Sequence, residues 1–224
     1  MTARGVNLAV SRDEGVVTVA LDWSGHAGPI DARLADRLTD LLIELATDPA
    51  VRAVVITGTG DVFATGRDDL PEVARLVAVL QAVPFVTVAA VQRVCIGAGL
   101  ALALACRHRV IAGDAVLCAT PGTGSRGTAR ALVYDEIGPD AGQRMLGLGA
   151  VEPAALVAWG VAATIVPGHL LLARAQETAL RGTPPAGICT TMPPRKAPSR
   201  RATAPRNVWP IEQPFDSTIS GGVR

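Results

Sequence analysis

Two short turns carry the residue types best suited to chemistry in this chain. One is Phe63-Ala64-Thr65-Gly66-Arg67-Asp68, within "VFATGRDDL"; the other is Gly97-Ala98-Gly99, within "IGAGLALALAC". Each reads as the exit of a strand, bending at glycine toward a helix. Backbone N–H groups at such a bend lack an intrahelical acceptor, and aligned peptide dipoles leave roughly half a positive charge there. Side by side, the two turns offer convergent donors to a carbonyl oxygen that is becoming an oxyanion. Small residues let a ligand approach the backbone. Such a site needs no acid within the helix, and no acid, lysine, arginine or histidine lies between Val94 and Cys106. For either turn taken alone, close packing of helix on sheet is the competing explanation.

The elements that must position these turns follow from pattern. "GVVTVALDW" (Gly15 to Trp23) is a strand bounded by turn formers. In "IDARLADRLTDLLIELATD", Leu34, Leu38, Leu41, Leu42 and Leu45 recur at helical spacing behind Asp31, an N-cap residue. "VRAVVITGTG" and "FVTVAAV" are buried strands, with the helix "DLPEVARLVAVLQAV" between them. "GAGLALALAC" is a helix apolar on every side, hence buried. "HRVIAGD" and "AVLCATP" are short strands. Helices follow at "GTARALVYDEIG", "DAGQRMLGLG" and "EPAALVAWG", then a strand "ATIVP" and a helix "GHLLLARAQETALR". Strands alternating with helices predict an α/β fold with crossover connections.

Composition narrows the functional classes. The 224 residues are 49% apolar and 3% aromatic, so Ala, Val and Leu must build the core. A formal charge of +1 supplies no field for nucleic acid. No run approaches the ~20 apolar residues of a membrane span, and the N-terminus does not read as a signal peptide; the chain is expected to be cytoplasmic. Four scattered cysteines, Cys95, Cys106, Cys118 and Cys189, form no CxxC pair, which argues for buried thiols over a metal site. From residue 182 the texture turns rich in Pro, Ser, Thr and Arg, so the expected division is a folded domain over 1–181 and a disordered tail over 182–224. Its basic cluster, Arg195, Lys196, Arg200 and Arg201, reads as a solvated tail. "GTGSRG" (Gly122 to Gly127) matches a dinucleotide fingerprint, but the strand and acid required roughly 20 residues on are missing.

The order and spacing of "VVTVALDW", "ARLADRLTDLLIELATDPAVRAVVITGTGDVFATGRDDL", "VPFVTVAAVQRVCIGAGLALALACRHRVIAGDAVLCATP" and "AWGVAATIVPGHLLLARAQETAL" resemble the crotonase superfamily, the enoyl-CoA hydratase/isomerase family. The resemblance implies a crotonase-like (ClpP/crotonase) spiral of ββα units with a divergent C-terminal tail. It implies an acyl-CoA ligand, no tightly bound cofactor, and assembly as a homo-trimer or hexamer. It also assigns an oxyanion hole to the backbone N–H groups of Arg67 and Ala98, with Ala64, Gly66, Asp68, Gly97 and Gly99 beside the ligand.

The chain departs from that pattern at both hydratase acids. The first glutamate position, three residues past the middle of the glycine triplet, holds Ala101; the second holds Gly122. Neither exchanges a proton, and acid–base help is worth about 10²–10⁴ in rate. Asp68, Asp69, Asp114, Asp135, Glu136 and Tyr134 are the candidate stand-ins, with Asp68 reading better as a helix cap and the Asp135–Glu136 pair as a solvated face. Two classes stay open: an enzyme of weak or altered acyl-CoA chemistry, and a noncatalytic CoA-binding or helper subunit.

Overall fold

The computed structural model describes residues 7–23, 28–119, 127–147, 149–151, 153–162 and 164–182. The chain opens with a hairpin of β1 (Asn7–Asp13) and β2 (Val16–Asp22). Glu14 and Gly15, at φ 44° and 81°, make its two-residue turn; two left-handed residues match the twist of paired strands. Helix α1 (Ala32–Ala46) follows, capped as its sequence predicts: the Leu34 N–H donates to Asp31 Oδ1 at 2.8 Å. Leu34, Leu38, Leu42 and Leu45 are buried on one face, each worth about 1.5–3 kcal/mol of burial.

Three strand–strand–helix repeats then build the body. They are β3 (Ala53–Gly58), β4 (Val62–Ala64) and α2 (Pro71–Ala82); β5 (Val86–Val91), β6 (Val94–Ile96) and α3 (Ala98–Ala105); and β7 (His108–Ala112), β8 (Val116–Cys118) and α4 (Thr128–Ile137). The first strand of each repeat enters a six-stranded sheet of order β1-β2-β3-β5-β7-β10, and the second enters a four-stranded sheet, β4-β6-β8-β9. Helices α5 (Pro139–Gly147) and α6 (Pro153–Ala158) and strands β9 (Ala150–Val151) and β10 (Thr164–Val166) lead to the closing helix α7 (Leu171–Gly182). The repeats pair in parallel within both sheets, as β3–β5–β7 and β4–β6–β8. This is the expected spiral of ββα units. All six residues of β5 are buried, as strands covered on both faces must be.

The short strands β4 and β6 correct the sequence reading. The turns are delivered by this second sheet, not directly by β3 and β5. The first turn also leads into no immediate helix: α2 begins four residues after Arg67, with Pro71 at its start and Leu70 as N-cap. Only Ala98 therefore lies at a helix N-terminus. The expected tail apart from Gly182, which ends α7, lies outside the described residues with Cys189 and Gly122, as does "GTGSRG" except for Gly127, the N-cap of α4. Among the described residues no helix is long and apolar enough to cross a membrane.

Candidate functional site

The two turns meet. Thr65 bridges the segment around Pro29: the Thr65 N–H donates to the Gly28 carbonyl and the Ile30 N–H to the Thr65 carbonyl, both at 2.8 Å. Behind it, α3 packs so tightly that a Cβ on Gly99 would stand 2.0 Å from the Ala64 carbonyl oxygen. Glycine there is what lets the helix start against the turn. Gly66 has φ +124°, and a Cβ would approach the Ile30 carbonyl oxygen to 2.8 Å. The Gly97 N–H donates to the Cys118 carbonyl at 3.0 Å, tying the second turn to β8. The bracing segment at Gly28–Ile30 was not singled out by sequence; its only signal is a Gly-Pro pair.

Ala98, the first residue of α3, donates its N–H to the Gly66 carbonyl oxygen at 2.9 Å. A trans peptide points its C=O and N–H in opposite directions, and no cis bond occurs among the described residues. With the Gly66 oxygen turned toward Ala98, the Arg67 N–H is turned away from it. Both N–H groups assigned to the oxyanion hole are thus neighbours, and in this structure they do not converge.

The flanking side chains are fixed by their own partners. Asp68 is 1% exposed. Its Oδ2 accepts the Ala129 N–H and its carbonyl the Thr128 N–H, both at 3.0 Å, so it caps α4. Its Oδ1 is buried without a hydrogen-bond partner among the described residues. The Arg67 guanidinium turns outward and grips Asp69, Nε to Oδ1 at 3.0 Å and Nη2 to Oδ2 at 2.8 Å. That hydrogen bond holds the Asp69 carboxyl below its ordinary range and raises the Arg67 pKa.

The stand-in acids do not gather here as a catalytic set. Asp114 and Asp135 are exposed. Glu136, expected on a solvated face, instead pairs with the buried Arg109, which also donates to the carbonyls of Cys106 at 2.8 Å and Leu104 at 3.2 Å. A cation at the C-terminal end of α3 complements the helix dipole. The Tyr134 hydroxyl accepts from Arg130 Nη2 at 2.7 Å and donates to Gln143 Oε1 at 2.8 Å, linking α4 to α5. Ala101 is fully buried. Cys95 and Cys106 are buried and Cys118 half-buried; burial pushes the Cys95 and Cys118 thiols up. Among the described residues no cluster of side chains fits a metal ion.

Residues 11–186 match the family model described as enoyl-CoA hydratase/isomerase. The chain belongs to the enoyl-CoA hydratase/isomerase family. It is a divergent member of that family. A probable enoyl-CoA hydratase, echA6, of Mycobacterium tuberculosis is 33% identical over 48% of this chain and 48% of its own length. The fatty acid oxidation complex subunit alpha of Shewanella amazonensis is 32% identical over 76% of this chain and 28% of its own length. The chain thus spans about half the length of the curated hydratase relatives and less of the alpha subunit. A monofunctional enoyl CoA isomerase from M. smegmatis superposes with a TM-score of 0.69 at 28% identity, covering 78% of this chain and 83% of that one. An enoyl-CoA hydratase from Bacillus anthracis shares the fold at TM-score 0.70 and 24% identity, over 78% and 76% of the two chains.

Proposed function

We propose that this chain binds an acyl-CoA thioester and stabilises negative charge on its carbonyl oxygen through the main-chain N–H groups of Arg67 and Ala98. The observation that carries the reading is the meeting of the two family turns, with a carbonyl oxygen already seated on the Ala98 N–H at 2.9 Å. Ala64, Gly66, Asp68, Gly97 and Gly99 would surround the bound thioester. When a proton leaves the α-carbon, or a nucleophile adds to the carbonyl, an electron pair moves onto the thioester oxygen. Donors aimed at that oxygen before the charge develops lower the barrier; for the Arg67 N–H this requires the Gly66–Arg67 peptide to turn first, since its carbonyl now occupies the Ala98 N–H.

Ala101 and Gly122 leave the hydratase acid positions empty of acids. Proton transfer falls to another group or to the substrate, so hydration is slow. The buried, inert Ala101 favours a second reading, a noncatalytic CoA-binding or helper subunit. The proposal includes a cytoplasmic protein, no tightly bound cofactor, and self-association as a trimer or hexamer.

Titration calorimetry with acetyl-CoA and with free CoA tests ligand binding; no heat at millimolar ligand removes the acyl-CoA reading. A crotonyl-CoA hydration assay separates the two classes. Measurable slow turnover supports an enzyme, binding without turnover supports the helper subunit, and turnover within about tenfold of an ordinary hydratase contradicts the loss of acid–base help.

A further inference from the structure

The Gly66–Arg67 peptide faces the wrong way for the site just proposed, and its orientation has a consequence. The Gly66 carbonyl oxygen sits on the Ala98 N–H where a thioester oxygen would sit. Among the described residues no hydrogen bond uses the Arg67 N–H. Because a trans peptide carries O and N–H on opposite sides, rotation of this one plane about its Cα–Cα axis withdraws the oxygen and swings the Arg67 N–H toward Ala98. One motion both empties the hole and completes it.

We propose that the ligand-free site is latched shut by its own backbone, with the Gly66 carbonyl standing in for the thioester carbonyl until the Gly66–Arg67 peptide rotates. This rests on the acyl-CoA reading above. The hinge is built for it on one side: Gly66 already lies at φ +124°, and glycine occupies either orientation without a Cβ penalty. The other side resists. Arg67 does not have positive φ in the latched state, and a half-turn of the preceding peptide drives an L-residue toward the left-handed region. Its guanidinium is held on Asp69 by two hydrogen bonds, and the next residue, Asp68, is anchored on α4. The turn is therefore stiff just where it must rotate, and residue 67 sets how far the latch lowers affinity.

The latch is read directly by the scalar coupling across the hydrogen bond between the Ala98 nitrogen and the Gly66 carbonyl carbon in the isotope-labelled full chain. The coupling is expected in the free protein and is expected to vanish at saturating acetyl-CoA. Its absence in the free protein, or its persistence in the bound one, overturns the proposal. Calorimetry on two variants checks the hinge. Arg67→Ala and Arg67→Gly both remove the Asp69 pair, but only glycine relieves the left-handed penalty, so Arg67→Gly should bind acetyl-CoA about tenfold more tightly than Arg67→Ala. Equal affinities overturn the rotation and leave acyl-CoA binding standing. A coupling present in the free protein with no binding by any of the three chains overturns the acyl-CoA reading instead, and the latch as a ligand gate falls with it.

Discussion

The Asp68 carboxylate, buried in the first turn, accepts the Ala129 N–H at 3.0 Å from the start of α4, 61 residues away in sequence. A single side chain thus fixes the candidate site to a helix it does not belong to, and complements the positive end of that helix. Asp68→Ala removes the acceptor and should lower stability by about 1–2 kcal/mol. Asp68→Asn keeps an acceptor oxygen and should retain most of it. Urea denaturation checks both; an Asn variant as damaged as the Ala variant would mean the cap is not what matters.

A glutamate at Ala101, the position that the family resemblance pairs with the first hydratase acid, is expected to fail structurally. On sequence pattern alone, Ala101→Glu with Gly122→Glu would raise any hydratase rate. Ala101, however, has no exposure, and all eight residues of α3 are buried. A carboxylate placed there loses its hydration, so Ala101→Glu should cost about 3 kcal/mol. Thermal denaturation of the single variant provides the measurement. Parental stability would show that this helix face opens onto a cavity.

Arg109 and Glu136 tie β7 to α4, with side chains 6% and 20% exposed. Removing one partner of a buried pair is worse than removing both, because a charge is left uncompensated. Glu136→Gln should therefore destabilise the chain by roughly 3 kcal/mol. A double variant, Arg109→Met with Glu136→Leu, should recover part of that loss, even though it gives up the bonds to the Leu104 and Cys106 carbonyls. A double variant less stable than the parent chain by the full sum of the two single losses would contradict the coupling.

The Arg67–Asp69 pair predicts a pH signature. The Arg67 hydrogen bond depresses the Asp69 pKa from its ordinary 3.8. A carboxyl depressed in the folded state contributes stability above its unfolded pKa and loses it as pH falls through the folded value. The effect therefore lies in the acid range below 3.8, and neutral pH leaves the pair intact. NMR titration of the Asp69 carboxyl should show its midpoint rising in Arg67→Ala. No change between the two chains would mean the pair is broken in solution.

Much of this architecture was legible in residue types. The leucines of α1 and its Asp31 cap mark a helix outright, and the apolar run of α3 announces burial on every side. Strands β4, β6 and β9, three, three and two residues long, are too short to show an alternating pattern, so the second sheet had to be seen. At the site, glycines told where the backbone bends but not how a peptide plane faces. The Gly66 carbonyl on Ala98 is a matter of torsion angle, and no residue type encodes it. Glu136 misled for a related reason: its buried partner Arg109 lies on a different element, beyond the reach of helical spacing.

The proposed site works only if main-chain amides hold a thioester carbonyl. Calorimetry with acetyl-CoA against its S-ethyl thioether analogue, which lacks only that carbonyl oxygen, tests this most directly. Two hydrogen bonds at about 0.7 kcal/mol each predict about tenfold weaker binding of the thioether. Equal binding of the two ligands, or binding of neither, would contradict it.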